Sequence, residues 1–133
     1  MRIMLDTNVL ISIIVFRSQS LTNMMALVLT EHRLVLSSYV IEELKQVVAR
    51  KFNAKTAALE VFLQALPYEF VYTPVLMDQE LFSIRDPADY PVLYSAIAED
   101  VDILITGDKD FAEVEVEKPE IVTPAEFMEK YGV

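Results

Sequence analysis

Four acids stand where a carboxylate could do chemistry rather than merely meet water. Asp6 follows Ile3-Met4-Leu5 directly, at the carboxyl end of a buried strand, where ligand crevices of open α/β sheets lie. It could equally cap the next helix, helped by Asn8. Asp108 repeats the arrangement, because Thr106-Gly107-Asp108-Lys109-Asp110 follows the apolar run Ile103-Leu104-Ile105. Parallel, central strands would bring Asp6 and Asp108 out side by side, with Asp110 as an outer ligand or a cap for a short helix.

Helix geometry supplies the other two. Over residues 38–52 the apolar stripe is Val40, Ile41, Leu44, Val47 and Val48. At the helical rotation, its centre lies about 160° from Glu42 but only about 100° from Glu43. Glu42 therefore faces solvent, whereas Glu43 flanks the buried face and can reach a crevice. Asp89, Val92, Leu93 and Ala96 follow i, i+3, i+4, i+7, so Asp89 points with core residues. Asp86-Pro87-Ala88-Asp89 also reads as a helix entry with Asp86 as cap, and Pro91 favours a start near Ala88 or Asp89. Cap and ligand are compatible roles for Asp89.

Carboxylates gathered in one crevice repel. At about 5 Å and an effective dielectric of about 20, each close pair costs roughly 3 kcal/mol. Such a cluster takes up protons or a hard cation. All-oxygen donors select Mg²⁺ or Mn²⁺ over zinc. His32, between Glu31 and Arg33, is read as a surface residue without chemistry.

The elements that must position these acids alternate short apolar runs with longer helical ones, the pattern of an α/β fold. Strands are expected at 2–5, 33–36, 70–73, 102–105 and 120–122. Helices are expected directly after Leu5, at 21–31, from Ser37/Ser38 to about Phe52, from Asn53 or Thr56 to about Leu66, and from Asp86 to about Asp100. A short helical turn follows Gly107. Thr123-Pro124-Ala125-Glu126 has the form of a capping box opening a last helix. Residues 77–82 carry no clear signal. The whole chain, 1–133, reads as one three-layer domain.

Composition sets the outer limits. The 133 residues hold 11 Lys and Arg against 21 Asp and Glu, a net charge of −10, with 53% hydrophobic residues. Residues 99–133 contain 11 of those acids and only Lys109, Lys118 and Lys130. This excludes a general nucleic-acid coat protein but not an enzyme that meets phosphate through metal and a local basic face. The absence of Cys removes disulfides, thiolate zinc sites and a Cys nucleophile together. The longest apolar run, Val9 to Phe16, is far short of the roughly 20 residues that cross a bilayer. The expectation is a cytoplasmic chain outside the membrane.

Leu5-Asp6-Thr7-Asn8-Val9-Leu10, then Ser38 with Glu43-Leu44, Arg85-Asp86-Pro87-Ala88-Asp89 and Thr106-Gly107-Asp108-Lys109-Asp110 occur in that order along the chain. The ordered set resembles the PIN-domain nucleases, specifically the prokaryotic VapC-like ribonuclease toxins of type II toxin–antitoxin pairs. The resemblance implies a three-layer α/β/α domain with a mainly parallel five-stranded sheet, order 3-2-1-4-5. It implies Asp6, Glu43, Asp89 and Asp108 as an acidic quartet holding one or two Mg²⁺ or Mn²⁺ ions, with Thr106, Asp110 and Asn8 as accessory groups. The implied reaction is phosphodiester hydrolysis of RNA by metal-activated water.

A toxin further implies a cognate antitoxin over the active-site groove. The Met24/Met25 helix and the segment 54–66 are candidate contact or homodimer surfaces, and core packing explains both equally well. Lys45, Arg50, Lys51 and Lys55, with no acid among them, could track an RNA backbone or simply be a solvated helix face. Two other readings remain at this stage. One is a catalytically silent PIN-like module that binds RNA or protein. The other is a haloacid-dehalogenase-like phosphatase, which wants an acid where Asn8 stands.

Overall fold

The computed structural model describes residues 1–132. Five strands form one sheet: β1 (Arg2–Leu5), β2 (Arg33–Ser37), β3 (Glu69–Val71), β4 (Ile103–Ile105) and β5 (Glu120–Val122). Their order is β3-β2-β1-β4-β5, and all four pairings are parallel. Successive side chains of a strand face opposite sides of its sheet. Yet Leu34 to Ser37, Ile3 to Leu5 and Ile103 to Ile105 are buried without alternation. Both faces of the central strands are therefore covered, which gives three layers.

Among the described residues five α-helices connect the strands and a sixth follows β5. They are α1 (Thr7–Ile14), α2 (Gln19–Glu31), α3 (Ser38–Lys51), α4 (Thr56–Ala65), α5 (Tyr90–Ala98) and α6 (Pro124–Tyr131). Helix α1 is apolar nearly all round and sits in the core. Ser37 caps α3 by accepting from the Val40 N–H at 3.2 Å, while the Ser38 hydroxyl accepts from the Thr73 N–H at 2.9 Å. Helix α6 opens with the expected capping box between Thr123 and Glu126.

Several boundaries differ from the sequence reading. The helix expected from Asp86 splits into a single 3-10 turn, Pro87–Asp89, followed by α5. Proline has no N–H to donate, so Pro91 is accommodated in the first turn of α5. Asp108, not Asp110, caps the 3-10 turn Lys109–Phe111, accepting from the Asp110 N–H at 2.9 Å. Strand β3 ends at Val71 rather than Thr73. His32 is half-buried, with its ring edge-on to Phe127.

Met24 and Met25, whose helix was offered above as a contact surface or as core packing, are 0% and 4% exposed, so these two side chains belong to the core. Helix α4 behaves differently, burying only Leu59 and leaving Val61 67% exposed.

No single helix among the described residues is long and apolar enough to cross a membrane. Residues 77–82, silent in sequence, are fixed by tertiary contacts with α5. Tyr90 donates to the Asp78 carbonyl, Tyr94 accepts from the Asp78 N–H at 3.1 Å, and Phe82 stacks on Tyr90 with centroids 4.2 Å apart. Tyr90 and Tyr94 are i, i+4 neighbours, so one helix face holds the loop.

Candidate functional site

Sheet register brings the first acids together. Leu5 lies beside Ile105, and the next pair continues the ladder, with the Asp6 N–H donating to the Ile105 carbonyl at 3.0 Å. Asp6 thus stands opposite Thr106, whose hydroxyl donates to Asp6 Oδ2 at 2.8 Å. That same hydroxyl accepts from the Asp108 N–H at 3.1 Å. One threonine therefore ties both strand-end aspartates into one turn. Asp6 Oδ1 accepts from the Thr7 N–H at 2.7 Å, so Asp6 caps α1 from its place at the end of β1.

Glu43 comes from α3 with the expected rotation: Glu42 is exposed, Glu43 half-buried. It accepts a short hydrogen bond from the Thr7 hydroxyl, which fixes it beside Asp6. Thr7→Val keeps the shape and deletes this hold on Glu43. As an outer partner of a candidate ligand, its loss should weaken Mn²⁺ affinity roughly 10-fold. Calorimetric titration checks this, and unchanged affinity would remove Thr7 from the site.

Asp89 is the most constrained of the set. It is 9% exposed, and Oδ2 has no hydrogen-bond partner. Burial, a carboxyl–carboxylate contact with Asp108, and the charges of Asp108, Asp6 and Asp86 push its pKa up to about 8. Burial also raises Asp6, with Glu43 and Asp108 adding to the effect, while its bonds from Thr106 and Thr7 oppose it. These acids feel one another through a medium that screens poorly.

The tightest grouping includes a residue assigned only a capping role above. One carboxylate oxygen from each of Asp86, Asp89 and Asp110 lies within 4.8 Å of the other two. Asp86 does cap its 3-10 turn, accepting from the Ala88 N–H at 3.0 Å. It also faces Asp110, which sequence distance conceals. Tyr39 was missed as well: its hydroxyl donates to the Ala88 carbonyl at 3.0 Å, linking α3 to the turn that carries Asp89. Burial, then Glu43 and Asp89, raise its pKa. Its i, i+4 relation to Glu43 was the available signal.

The remaining accessory residues separate. Asn8 is exposed and lines a hollow of about 220 Å³ with Gly107 and Asp108. Lys45, Arg50 and Lys51 are exposed and Lys55 half-buried, and none forms an ion pair among the described residues. Arg50 and Lys51 stand in the last turn of α3, about 10 Å along the axis from Glu43.

The donor chemistry fits a hard divalent cation. A buried carboxylate oxygen without a hydrogen-bond partner, beside further carboxylates and no sulfur ligand, is what such an ion neutralises.

A fully parallel 3-2-1-4-5 sheet with acids gathered at the carboxyl ends of β1 and β4 defines a class of α/β domain with an acidic crevice at the switch point. The chain belongs to the PIN domain family, whose model matches residues 2–110. Among solved structures, it is similar to a chain of the VapBC2 complex from Rickettsia felis, bound there to a DNA fragment from their promoter. The TM-score is 0.70 at 23% identity, covering 92% of this chain and 97% of that one. It is also similar to VapC20 of Mycobacterium tuberculosis, a toxin that cleaves the Sarcin-Ricin loop, with TM-score 0.62 and 10% identity over 83% of this chain and 92% of that one. The fold is thus that of VapC structures. No curated protein matches the chain at a significant level.

Proposed function

We propose that this PIN-domain protein is a divalent-metal-dependent ribonuclease and the toxin of a toxin–antitoxin pair. The carrying observation is Asp89: a buried carboxyl with an unpartnered oxygen, among acids contributed by four separate segments. Asp6, Glu43, Asp89 and Asp108 would hold Mg²⁺ or Mn²⁺, one ion or two. When bound, the cation supplies Lewis acidity to a phosphodiester oxygen and activates water.

The chain's own groups do the rest. Thr106 and Thr7 hold Asp6 and Glu43 in place, which lowers the reorganisation needed when charge develops. Tyr39 ties the Asp89 turn to α3. Asp110 extends the cluster outward, with Asn8 accessory beyond Asp108. No side-chain nucleophile is required.

The VapBC2 likeness supports a protein antitoxin as partner. The exposed side of α4 suits a homodimer contact. Action on RNA in such a pair places the protein in the cytoplasm.

The reading is tested by titrating Mn²⁺ and Mg²⁺ calorimetrically and then assaying RNA cleavage with and without chelator. Saturable binding with cleavage that chelator stops is the expected result. A folded chain that binds no divalent ion would leave the silent binding module as the better account.

A further inference from the structure

A charged groove begins where the acidic cluster ends. It is a cavity of about 510 Å³ between the loop before Asp86 and the turn after β4, with Arg85 and Ser83 on one wall and Lys109 and Asp110 on the other. Asp110 belongs to both features, so groove and cluster are continuous. Half-buried Ile84 and Val114 give the groove an apolar floor, and Glu113 is its second acid.

We propose that this groove is the path of single-stranded RNA leaving the cation site, with Arg85 and Lys109 contacting phosphates that flank the scissile one. The inference rests on the nuclease reading above and names where its substrate lies.

Three observations carry it. First, the cluster is strongly anionic, so a polyanion needs fixed cations beside it, and these two basic side chains line the groove that joins it. Second, both are available. Arg85 is 89% exposed and reaches Asp110 only at 3.7 Å, beyond a good hydrogen bond, while Lys109 is exposed and has no ion pair among the described residues. The guanidinium of Arg85, held only by this long approach to Asp110, could turn to a phosphate oxygen, which its forked donors suit, the more so if Asp110 were to hold a cation. Third, the wall is pre-formed, because Phe82 stacked on Tyr90 anchors the loop three residues before Arg85. The basic residues of α3 lack this continuity. Arg50 and Lys51 lie about two helical turns along α3 from Glu43, and Lys45 is about 200° around α3 from it.

The test measures binding of a short fluorescein-labelled oligouridylate by anisotropy across a salt series, with calcium as the hard cation. Manganese calorimetry is run on the same full-length proteins. Arg85→Ala with Lys109→Ala should weaken RNA binding roughly 10-fold or more and flatten the salt slope by about 1.4, since each single-strand phosphate contact contributes about 0.7. Manganese affinity should stay the same or rise, because a cation opposing Asp110 has been removed.

Unchanged RNA affinity and slope would overturn the groove, as would a slope that falls instead when Lys45, Arg50, Lys51 and Lys55 are changed to Ala. Equal losses of manganese and RNA would also overturn it, by showing that the pair acts through the metal site. Wild type that binds manganese but no RNA overturns the groove and leaves the metal site standing. Wild type that binds neither overturns the nuclease reading beneath it.

Discussion

Asp89→Asn should make the metal-free protein more stable at alkaline pH and sharply weaken its binding of manganese. Asp89 keeps its proton in the folded chain up to about pH 8, whereas an unfolded Asp releases it near pH 4, about its ordinary value. Between those limits the folded state holds the extra proton. Stability is therefore fullest below about pH 4 and is lost as pH rises toward 8. Each unit of separation is worth about 1.4 kcal/mol, and relaxation of the neighbouring carboxylates removes part of the total. Replacement by the neutral amide should then stabilise the metal-free chain by about 2–4 kcal/mol at pH 8.

The amide can donate to the Asp108 carboxylate, so the contact that needed a proton survives without one. Under the proposed function the same change would remove a cation ligand, and Mn²⁺ affinity should fall more than about 100-fold, beyond the loss typical of an outer partner. Thermal unfolding of both proteins from pH 5 to pH 9, with and without Mn²⁺, reads both effects. Wild-type stability indifferent to pH would show that Asp89 ionises freely. Equal manganese affinity in the two proteins would remove Asp89 from the metal site.

That two such effects meet in one residue follows from what sequence can and cannot record. Asp6 and Asp108 were legible because Ile3–Leu5 and Ile103–Ile105 are buried runs whose ends are unambiguous, and parallel pairing sets such ends side by side. Glu43 was legible because a stripe of four buried residues fixes the rotation of α3. Asp89 kept its buried face although the helix breaks, since a 3-10 turn leading into α5 preserves the side facing the core.

What stayed hidden are contacts between segments distant in sequence. Asp86 reads correctly as a cap, but nothing in its local sequence announces Asp110. The bond from Thr7 to Glu43 joins residues on different helices, and the Arg85–Asp110 approach joins two loops. The 77–82 loop has no period because its order comes from tyrosines on α5, not from its own residues. The methionines of α2 illustrate the reverse ambiguity. An apolar stripe states that something covers it, and here the covering surface is the protein's own core.

Asp6→Ser separates the two roles that one aspartate fills. Its carboxylate accepts the Thr7 N–H at the start of α1, and a serine hydroxyl can take over that helix-capping function. Stability should therefore change by no more than about 1 kcal/mol, whereas Asp6→Ala should lose about 1 kcal/mol further with the cap. Serine cannot supply the charge that a hard cation demands, so RNA cleavage should fall more than about 100-fold in both variants. The comparison of Ser with Ala reads the cap; the comparison of either with wild type reads the site. Asp6→Asn gives a third measurement, retaining one side-chain oxygen for the Thr7 N–H, turning an amide donor toward the Thr106 hydroxyl and losing the charge. Cleavage preserved in the Asn or Ser protein would make Asp6 a capping residue alone and shift the centre of the site outward to Asp86, Asp89 and Asp110. Cleavage lost in all three variants, with folding kept in Ser and Asn, assigns the charge of Asp6 to catalysis and its geometry to the helix.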